Sequence, residues 1–167
     1  MSKVLITGGL GFMAYHLATR LLAEGCRIDV VDNCQRGVRD AAIEALIDTG
    51  RYRFHRRDLM QDGALDDFDD DYELVFHFAA IVGVRNVVKQ PYRVLWDNVV
   101  ALGRMLDWSR RQKHLRRFVF PSTSEVYAGT LESYGMPIPT PEETPLVCGP
   151  LARPRTSYML SKIVGEA

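Results

Sequence analysis

The sequence has 167 residues, of which 47% are hydrophobic and 25% charged, and this composition is typical of one soluble globular domain. Its 21 basic and 21 acidic residues balance, which argues against a nucleic-acid or acidic-membrane partner, because such partners are bound through an excess of lysine and arginine. No apolar run of about 18 residues occurs, so we expect no membrane span, and the first strand pattern begins at Lys3, so we expect no signal peptide.

Short apolar strands alternate with helical patterns as far as residue 122. Strands are predicted at 3–7, 27–31, 51–55, 73–80 and 116–122, and helices at 10–24, 39–49 and 91–112, with a short helix within 62–70. Single helices between strands imply right-handed crossovers and a parallel sheet that is covered on both faces. The predicted fold is therefore α/β, a Rossmann-type doubly wound sheet with strand order 3-2-1-4-5, and its ligands are expected at the carboxyl ends of the strands.

Two features fall outside this alternation. Residues 128–154 hold six of the eight prolines, and so long a segment without predicted structure is usually either functional or disordered. The three cysteines, Cys26, Cys34 and Cys148, are scattered and form no C-x-x-C pair, so we expect reduced packing residues in a cytoplasmic protein and no metal site.

A glycine motif connects the first strand to the first helix. Its spacing is Gly8-x-x-Gly11-x-x-Ala14. Gly8 permits a tight turn, Gly11 lets the backbone approach a pyrophosphate, and Ala14 lets the helix pack on the sheet. The first turn of the helix offers N–H groups to the phosphates. A plain tight turn is the alternative for such a motif on its own.

Acidic residues end the next two strands. Asp32 lies 24 residues after Gly8, where a carboxylate accepts hydrogen bonds from an adenosine ribose and repels a 2′-phosphate, so NAD is favoured over NADP. NADP remains an alternative because of Arg36, since an arginine near the ribose can bind a 2′-phosphate. Asp58 and Leu59 follow the third strand and could contact the adenine, although an aspartate in that place is more often a helix N-cap.

A second cluster has the residue types of proton-transfer chemistry. Tyr158 and Lys162 are four residues apart and therefore share one face of a helix. A free tyrosine has a pKa of about 10, but a lysine ammonium and the positive nicotinamide ring both favour the phenolate. Tyr158 could then take a proton from a substrate hydroxyl that Thr123 or Ser124 holds by a hydrogen bond. The alternative for the hydroxyl side chains of residues 122–124 is helix capping. The alternative for the Tyr-x-x-x-Lys spacing is a chance occurrence.

Taken together, these motifs resemble those of the extended short-chain dehydrogenase/reductases that modify nucleotide sugars. The resemblance covers the whole chain and rests on the glycine motif, Asp32, Asp58-Leu59, "HFAA" (77–80), Asn98, "STSEVY" (122–127) and "YMLSK" (158–162). It implies bound NAD and a catalytic trio of Thr123, Tyr158 and Lys162. The cofactor-binding residues that it implies are Gly8, Gly11, Phe12, Met13, Asp32, Asn33, Arg36, Asp58, Leu59, Phe78, Ala79, Ala80, Asn98, Tyr158 and Lys162.

The resemblance also suggests a nucleotide-sugar substrate. The "STSEVY" motif and the "GP…PR…Y…SK" run resemble UDP-glucuronate decarboxylases, in which Ser124 and Glu125 would assist a second step. "AAIVGVRN" (79–86) instead resembles UDP-glucuronate 4-epimerases, in which Arg85 would pair with the uronate carboxylate; a solvated loop arginine is the alternative. A nucleotide-sugar 4,6-dehydratase is a less favoured reading, because dehydratases usually carry Asp-Glu where this chain has Ser124-Glu125.

Members of that family are about twice as long as this chain. We therefore expect residues 1–167 to form an NAD-binding domain that carries the catalytic residues and lacks the C-terminal substrate domain. We expect Leu160, Ile163 and Val164 to lie on an apolar face that later elements would cover. The family also implies a homodimer formed through the 91–112 helix and the helix that carries Tyr158. A non-catalytic NAD-binding or interaction module is the alternative of another class.

Overall fold

The structure is a computed structural model that describes residues 1–167, and it divides into two compact units. The sheet unit comprises Met1–Ala80 and Val100–Pro121, and the helical unit comprises Ile81–Val99 and Ser122–Ala167. The sheet unit contains five parallel strands in the order β3-β2-β1-β4-β5, which confirms the predicted α/β fold and strand order. The strands are β1 (Lys3–Thr7), β2 (Arg27–Asp32), β3 (Tyr52–Arg56), β4 (Leu74–His77) and β5 (Arg117–Val119).

Apolar residues cover both faces of this sheet. Helices α1 (Phe12–Ala23) and α2 (Ala41–Ile47) pack on one face, against the even-numbered residues of β1 and β2. The other face packs against Leu59, Leu65 and the second half of α4 (Pro91–Ser109), where Met105 is fully buried. Successive side chains along a strand therefore point alternately into two hydrophobic cores, one on each face of the sheet.

The helical unit consists of short helices and a proline-rich segment. Its elements are α3 (Val84–Lys89), the first half of α4, a 3₁₀ helix (Ser124–Tyr127), α5 (Ala128–Tyr134) and α6 (Thr156–Glu166). The Thr130 hydroxyl donates to the Pro145 carbonyl and accepts from the Val147 N–H, which fixes the proline-rich segment against α5. A Cβ on Gly129 would lie 1.9 Å from the Val147 carbonyl oxygen, so this close approach requires glycine.

Several predicted elements differ from the structure. No helix forms within 62–70, where consecutive turns occur instead, because aspartates dominate this stretch and Gly63 has a φ of +69°. Strands β4 and β5 are shorter than predicted, since their last residues turn out of the sheet. Helices α3 and α5 were not predicted, because each is shorter than two full turns and too brief for a clear periodicity.

A buried carboxylate connects three segments of the sheet unit. Asp29 on β2 is 2% exposed and accepts from the Tyr72 hydroxyl at 2.8 Å and from His55 Nε2 at 2.8 Å. The Arg53 guanidinium lies 3.1 Å from the same carboxylate. Burial alone would raise the pKa of Asp29, but the two hydrogen bonds and the arginine charge outweigh burial and lower it.

Candidate active site

The glycine turn brings the ends of β1 and β4 together. Gly8 has a φ of +68°, and a Cβ there would lie 2.7 Å from the Ala79 nitrogen and 2.8 Å from the Phe78 carbonyl carbon. Gly11 is the N-cap of α1 and has no side chain that could occupy the first-turn N–H groups. The predicted phosphate-binding turn and the predicted "HFAA" contact are therefore neighbours at the carboxyl edge of the sheet, which is the shape that a pyrophosphate needs.

A polar contact fixes the end of β4 in this position. The Thr7 hydroxyl accepts from the Ala79 N–H at 3.1 Å and lies 2.8 Å from His77 Nδ1. Thr7 and His77 are both almost fully buried, so this pair is shielded from water. The chain beyond His77, from Phe78 to Ala80, is half-buried and leaves the sheet from this anchor.

Asp32 organises the loop after β2. One carboxylate oxygen accepts from the Leu10 N–H at 3.2 Å, and the other accepts from the Cys34 N–H at 2.7 Å. A carboxylate has about four acceptor sites, so it retains capacity for the two ribose hydroxyls. Gly37 packs beside it, because a Cβ there would lie 3.2 Å from Asp32 Oδ2. The sequence did not single out Gly37, since no motif marks it.

Replacement of Asp32 by Asn is expected to weaken NAD binding by about 10- to 100-fold, because hydrogen bonds to a charged group contribute about 1.5–3 kcal/mol. The amide keeps the shape of the side chain but not its charge, and isothermal titration calorimetry with NAD measures the change. Asp40→Asn is the matched control, since Asp40 caps α2 in the same unit. Equal NAD affinity in Asp32→Asn and the unchanged chain would contradict this cofactor assignment.

The other residues predicted for the adenosine side have local partners. The Asp58 carboxylate accepts from the Met60 N–H at 2.9 Å, which is a turn-capping contact, and Leu59 is buried in the core. The Asn33 side chain accepts from the Gln35 N–H. Arg36, Phe12 and Met13 are exposed, with Phe12 and Met13 in the first turn of α1. The cofactor contacts predicted for these residues stay predictions, and Leu59 has little surface left for one, since it is only 7% exposed.

The helical unit brings the predicted proton-transfer residues to one cavity. This cavity has a volume of about 240 Å³, and its lining consists of Val82, Gly83, Val84, Val87, Thr123, Glu125, Arg155 and Tyr158. Thr123 is the N-cap of the 3₁₀ helix, and Tyr158 lies in the first turn of α6. Residues that are about 35 positions apart in the sequence thus face the same space.

Lys162 lies one turn after Tyr158 on α6. Its Nζ is 5.9 Å from the centroid of the Tyr158 ring, and the residue is only 5% exposed. Burial lowers the pKa of Lys162 to about 8, so the ammonium remains mostly protonated at neutral pH.

The surroundings of Tyr158 within the chain raise its pKa. Burial and the negative charge of Glu125 raise it, and a hydrogen bond with Thr123 acts in the opposite direction without outweighing them. The predicted effect of Lys162 together with a positive nicotinamide ring, which would favour the phenolate, stays a prediction.

Asn98 is buried rather than exposed. Its side-chain oxygen accepts from the Ile81 N–H at 2.7 Å, and its amide donates to the Ile81 carbonyl and to the Ser161 hydroxyl. Ser161, which the sequence analysis did not identify, donates in turn to the Tyr158 carbonyl at 2.7 Å. Asn98 therefore links the segment after "HFAA" to the helix that carries the predicted catalytic tyrosine.

Three predicted catalytic or substrate-binding residues, Arg85, Ser124 and Lys162, are not among the residues that line the cavity. Arg85 is exposed on α3 rather than in a loop, and the cavity lining includes its neighbours Val84 and Val87 instead. Ser124 is exposed on the 3₁₀ helix, while Glu125 lines the cavity. Arg155 also lines it and was missed as a site residue; its place three residues before Tyr158, at the N-cap of α6, was the available signal.

The structure shows neither a metal cluster nor a membrane-crossing helix. No three or more His, Cys, Asp or Glu side chains are grouped so that they could hold a metal ion. None of the helices combines the length and the apolar character that a bilayer crossing requires.

Comparison with known proteins identifies the family. The sequence profile of the NAD dependent epimerase/dehydratase family matches residues 4–167. Similar proteins include a UDP-N-acetyl-alpha-D-glucosaminuronate decarboxylase of Bacillus cytotoxicus, which is 29% identical over 98% of this chain and 48% of its own length. Among solved structures, an NAD-dependent NDP-hexosamine 5,6-dehydratase is 30% identical with a TM-score of 0.74, and the match covers 99% of this chain and 48% of that one.

A further solved structure contains ligands. The UDP-glucose 4-epimerase of Bifidobacterium longum, in complex with NAD⁺ and UDP, is 27% identical with a TM-score of 0.78, and the match covers 99% of this chain and 47% of that one. The chain thus spans about half the length of the relatives that it matches. With a family profile that covers nearly all its residues and a fold shared with these enzymes, the chain belongs to the NAD-dependent epimerase/dehydratase family.

Proposed function

We propose that this chain is the NAD-binding and proton-transferring part of an enzyme that modifies a nucleotide sugar by transient oxidation at the sugar C4 hydroxyl. The observation that carries the proposal is the arrangement of Thr123 and Tyr158 around one cavity, with the buried ammonium of Lys162 over the tyrosine ring. On the adenosine side, Gly8, Gly11 and Asp32 have the geometry of a dinucleotide site.

The first step is a proton transfer at the C4 oxygen. Thr123 holds this oxygen by a hydrogen bond, Tyr158 as phenolate takes its proton, and C4 becomes a ketone as its hydride leaves. Bound NAD would supply the hydride acceptor for this step and the hydride donor for the reduction of C4. Lys162 stabilises the phenolate through its positive charge, because it keeps its proton at neutral pH.

The second stage depends on the sugar. With a uronic acid, the C4 ketone lies β to the C6 carboxylate, so the C5–C6 bond breaks readily, carbon dioxide leaves and the resulting enolate takes a proton at C5. Glu125, on the cavity wall, is the proposed proton donor or relay for this stage, and Ser124 is its proposed helper. Epimerisation breaks only the C4–H and O4–H bonds, since hydride returns to the other face of the ketone and the oxygen takes its proton back.

A UDP-glucuronate decarboxylase or 4-epimerase is the preferred assignment. The "STSEVY" and "AAIVGVRN" segments support a uronic acid, and the relative from Bacillus cytotoxicus is named as a decarboxylase of a UDP-linked uronic acid. Arg85 remains the proposed partner of the uronate carboxylate, and its exposure on α3 leaves it available to a ligand.

Product analysis tests this assignment. The protein from the complete reading frame is mixed with NAD and UDP-glucuronate, and the nucleotide sugar is then analysed by mass spectrometry and chromatography. Loss of the mass of carbon dioxide indicates a decarboxylase, and an unchanged mass with a new retention time indicates an epimerase. Residues 1–167 alone are expected to show no or very low turnover, because the relatives are about twice as long. If residues 1–167 alone turned over substrate as fast as the complete protein, the expectation that activity requires a C-terminal substrate domain would be contradicted.

Two alternatives are tested by the same product analysis with UDP- and TDP-hexoses as additional substrates. A nucleotide-sugar 4,6-dehydratase would release water from such a hexose, and the 5,6-dehydratase among the similar structures supports dehydration in general. A non-catalytic module would bind NAD yet form no product from any nucleotide sugar tested.

We also propose a cytoplasmic homodimer. The free state of all three cysteines supports a reducing compartment. Exposed apolar residues on the predicted dimer helices support the interface: Tyr92 and Trp96 stack on each other on α4, and Val164 is exposed on α6, while Leu160 and Ile163 are half-buried.

A further inference from the structure

An ion pair closes one wall of the Tyr158 cavity. Arg155 Nη2 lies 2.6 Å from Glu125 Oε1, and the two residues come from different elements, since Arg155 is the N-cap of α6 and Glu125 belongs to the 3₁₀ helix. The Glu125 side chain is 33% exposed, so about two thirds of it is covered by protein. The pair therefore lies at the boundary between the cavity and solvent.

The pair supplies the only formal charges among the residues that line the cavity. The other lining residues are four aliphatic or glycine residues of the α3 segment, together with Thr123 and Tyr158. Lys162 reaches the tyrosine from the same helix, over the ring. The Glu125 carboxylate acts on the nearby phenol, because its negative charge disfavours a second negative charge and so raises the pKa of Tyr158.

The backbone that carries Arg155 is anchored on both sides. Arg153 forms a two-pronged ion pair with Glu132 of α5, at 2.6 and 2.8 Å. The Thr156 hydroxyl donates to the Pro150 carbonyl at 2.9 Å. Arg155 is thus presented to Glu125 from a fixed segment, and the proline-rich stretch holds this segment in place.

We propose that Arg155 is a positioning residue that acts through Glu125: its guanidinium clamps the carboxylate in one place on the cavity wall and balances its charge, so that Tyr158 can ionise. This inference rests on the proposed function, because the neutralised charge of Glu125 matters only if Tyr158 transfers a proton. The partner of the Arg155 guanidinium is the Glu125 carboxylate, and we assign it no contact with a reacting atom.

A double-mutant cycle on the titration of Tyr158 tests the clamp without substrate or turnover. The chain is labelled with ¹³Cζ-tyrosine, the Tyr158 signal is assigned from its loss in Tyr158→Phe, and its pKa is followed by NMR. Arg155→Gln is expected to raise the pKa of Tyr158 by roughly half a unit or more, and Glu125→Gln is expected to lower it. In the Glu125→Gln background, Arg155→Gln is expected to raise the pKa of Tyr158 by a clearly smaller amount, because the guanidinium, whose side chain is 59% exposed, then has no carboxylate that holds it beside the cavity and water screens its charge.

The controls separate this role from a structural one. Arg153→Gln removes a neighbouring arginine with a different partner and is expected to leave the titration unchanged. Arg155→Lys is expected to restore part of the effect, since it keeps the charge but not the planar fork. An equal shift from Arg155→Gln in both backgrounds, or no shift in either, would overturn the proposal.

A second measurement works at neutral pH, where the chain is not exposed to alkali. ¹³C relaxation of the Glu125 side chain is expected to show greater mobility in Arg155→Gln than in the unchanged chain. Unchanged mobility would also overturn the clamp. If the cycle behaves as expected while the complete protein converts no nucleotide sugar, the clamp stands and the proposed function fails.

Discussion

The Asp29→Ala chain is expected to lose about 3–5 kcal/mol of its free energy of unfolding, because removal of one member of a buried ionic network leaves its partners without compensation. The Tyr72 hydroxyl loses its acceptor inside the core, and Arg53 and His55 lose the carboxylate between them. Urea unfolding followed by circular dichroism measures the difference. A loss of this size is a large share of the roughly 5–15 kcal/mol that folded domains possess.

Two further variants keep this prediction testable if Asp29→Ala fails to fold. Tyr72→Phe removes one hydrogen bond and is expected to cost about 1.5–3 kcal/mol, since the acceptor is charged. Asp67→Ala breaks an exposed ion pair with Arg57 and is expected to cost less than about 1 kcal/mol. Equal losses for Asp29→Ala and Asp67→Ala would contradict the assignment of Asp29 as a buried structural charge.

The same carboxylate predicts how acid affects stability. The pKa of Asp29 in the folded chain is lowered, so its stabilising contribution is fully present above the pKa of about 3.9 in the unfolded chain. This contribution is lost as the pH falls through the lower, folded-state pKa. Asp29→Asn is therefore expected to show a shallower loss of stability below about pH 4 than the unchanged chain.

Tyr158→Phe in the complete protein is expected to lower the rate of C4 oxidation by about 10²- to 10⁴-fold, which is the usual contribution of a positioned acid or base. The phenyl ring still fills the cavity wall and still lies under Lys162, so NAD affinity is expected to change little. Stopped-flow absorbance of NADH after mixing with UDP-glucuronate measures the rate.

Tyr134→Phe is the matched control for this prediction. Tyr134 ends α5, is 79% exposed and is not among the cavity residues, so its hydroxyl should not matter. Oxidation at the unchanged rate in Tyr158→Phe would show that another group takes the proton.

The glycine turn could be predicted from the sequence because its determinants are local. Gly8 and Gly11 lie at a turn whose backbone geometry favours glycine, and the structure gives them that geometry. The pattern of strands and helices likewise indicated the sheet order, although β3 and β4 are connected by turns and β4 and β5 by two helices rather than by one.

The surroundings of Tyr158 could not be read in the same way. The cavity joins an α3 segment, the 3₁₀ helix and α6, and no short-range pattern shows that Val82, Glu125 and Arg155 meet. The rise in the pKa of Tyr158 could not be predicted for the same reason, because burial and a carboxylate from another element cause it. Asn98 was predicted as a cofactor neighbour from the resemblance alone, and its tertiary contacts with Ile81 and Ser161 could not be predicted.

Transfer of deuterium from substrate to cofactor tests the central claim most directly. UDP-glucuronate that carries deuterium at C4 is mixed with the complete protein and NAD, the reaction is quenched early, and the cofactor is analysed by mass spectrometry. Transient oxidation at C4 predicts reduced cofactor that carries one deuterium. The Tyr158→Phe protein is expected to form far less of this deuterated cofactor. Product formation with no deuterium in the cofactor would contradict transient oxidation at C4.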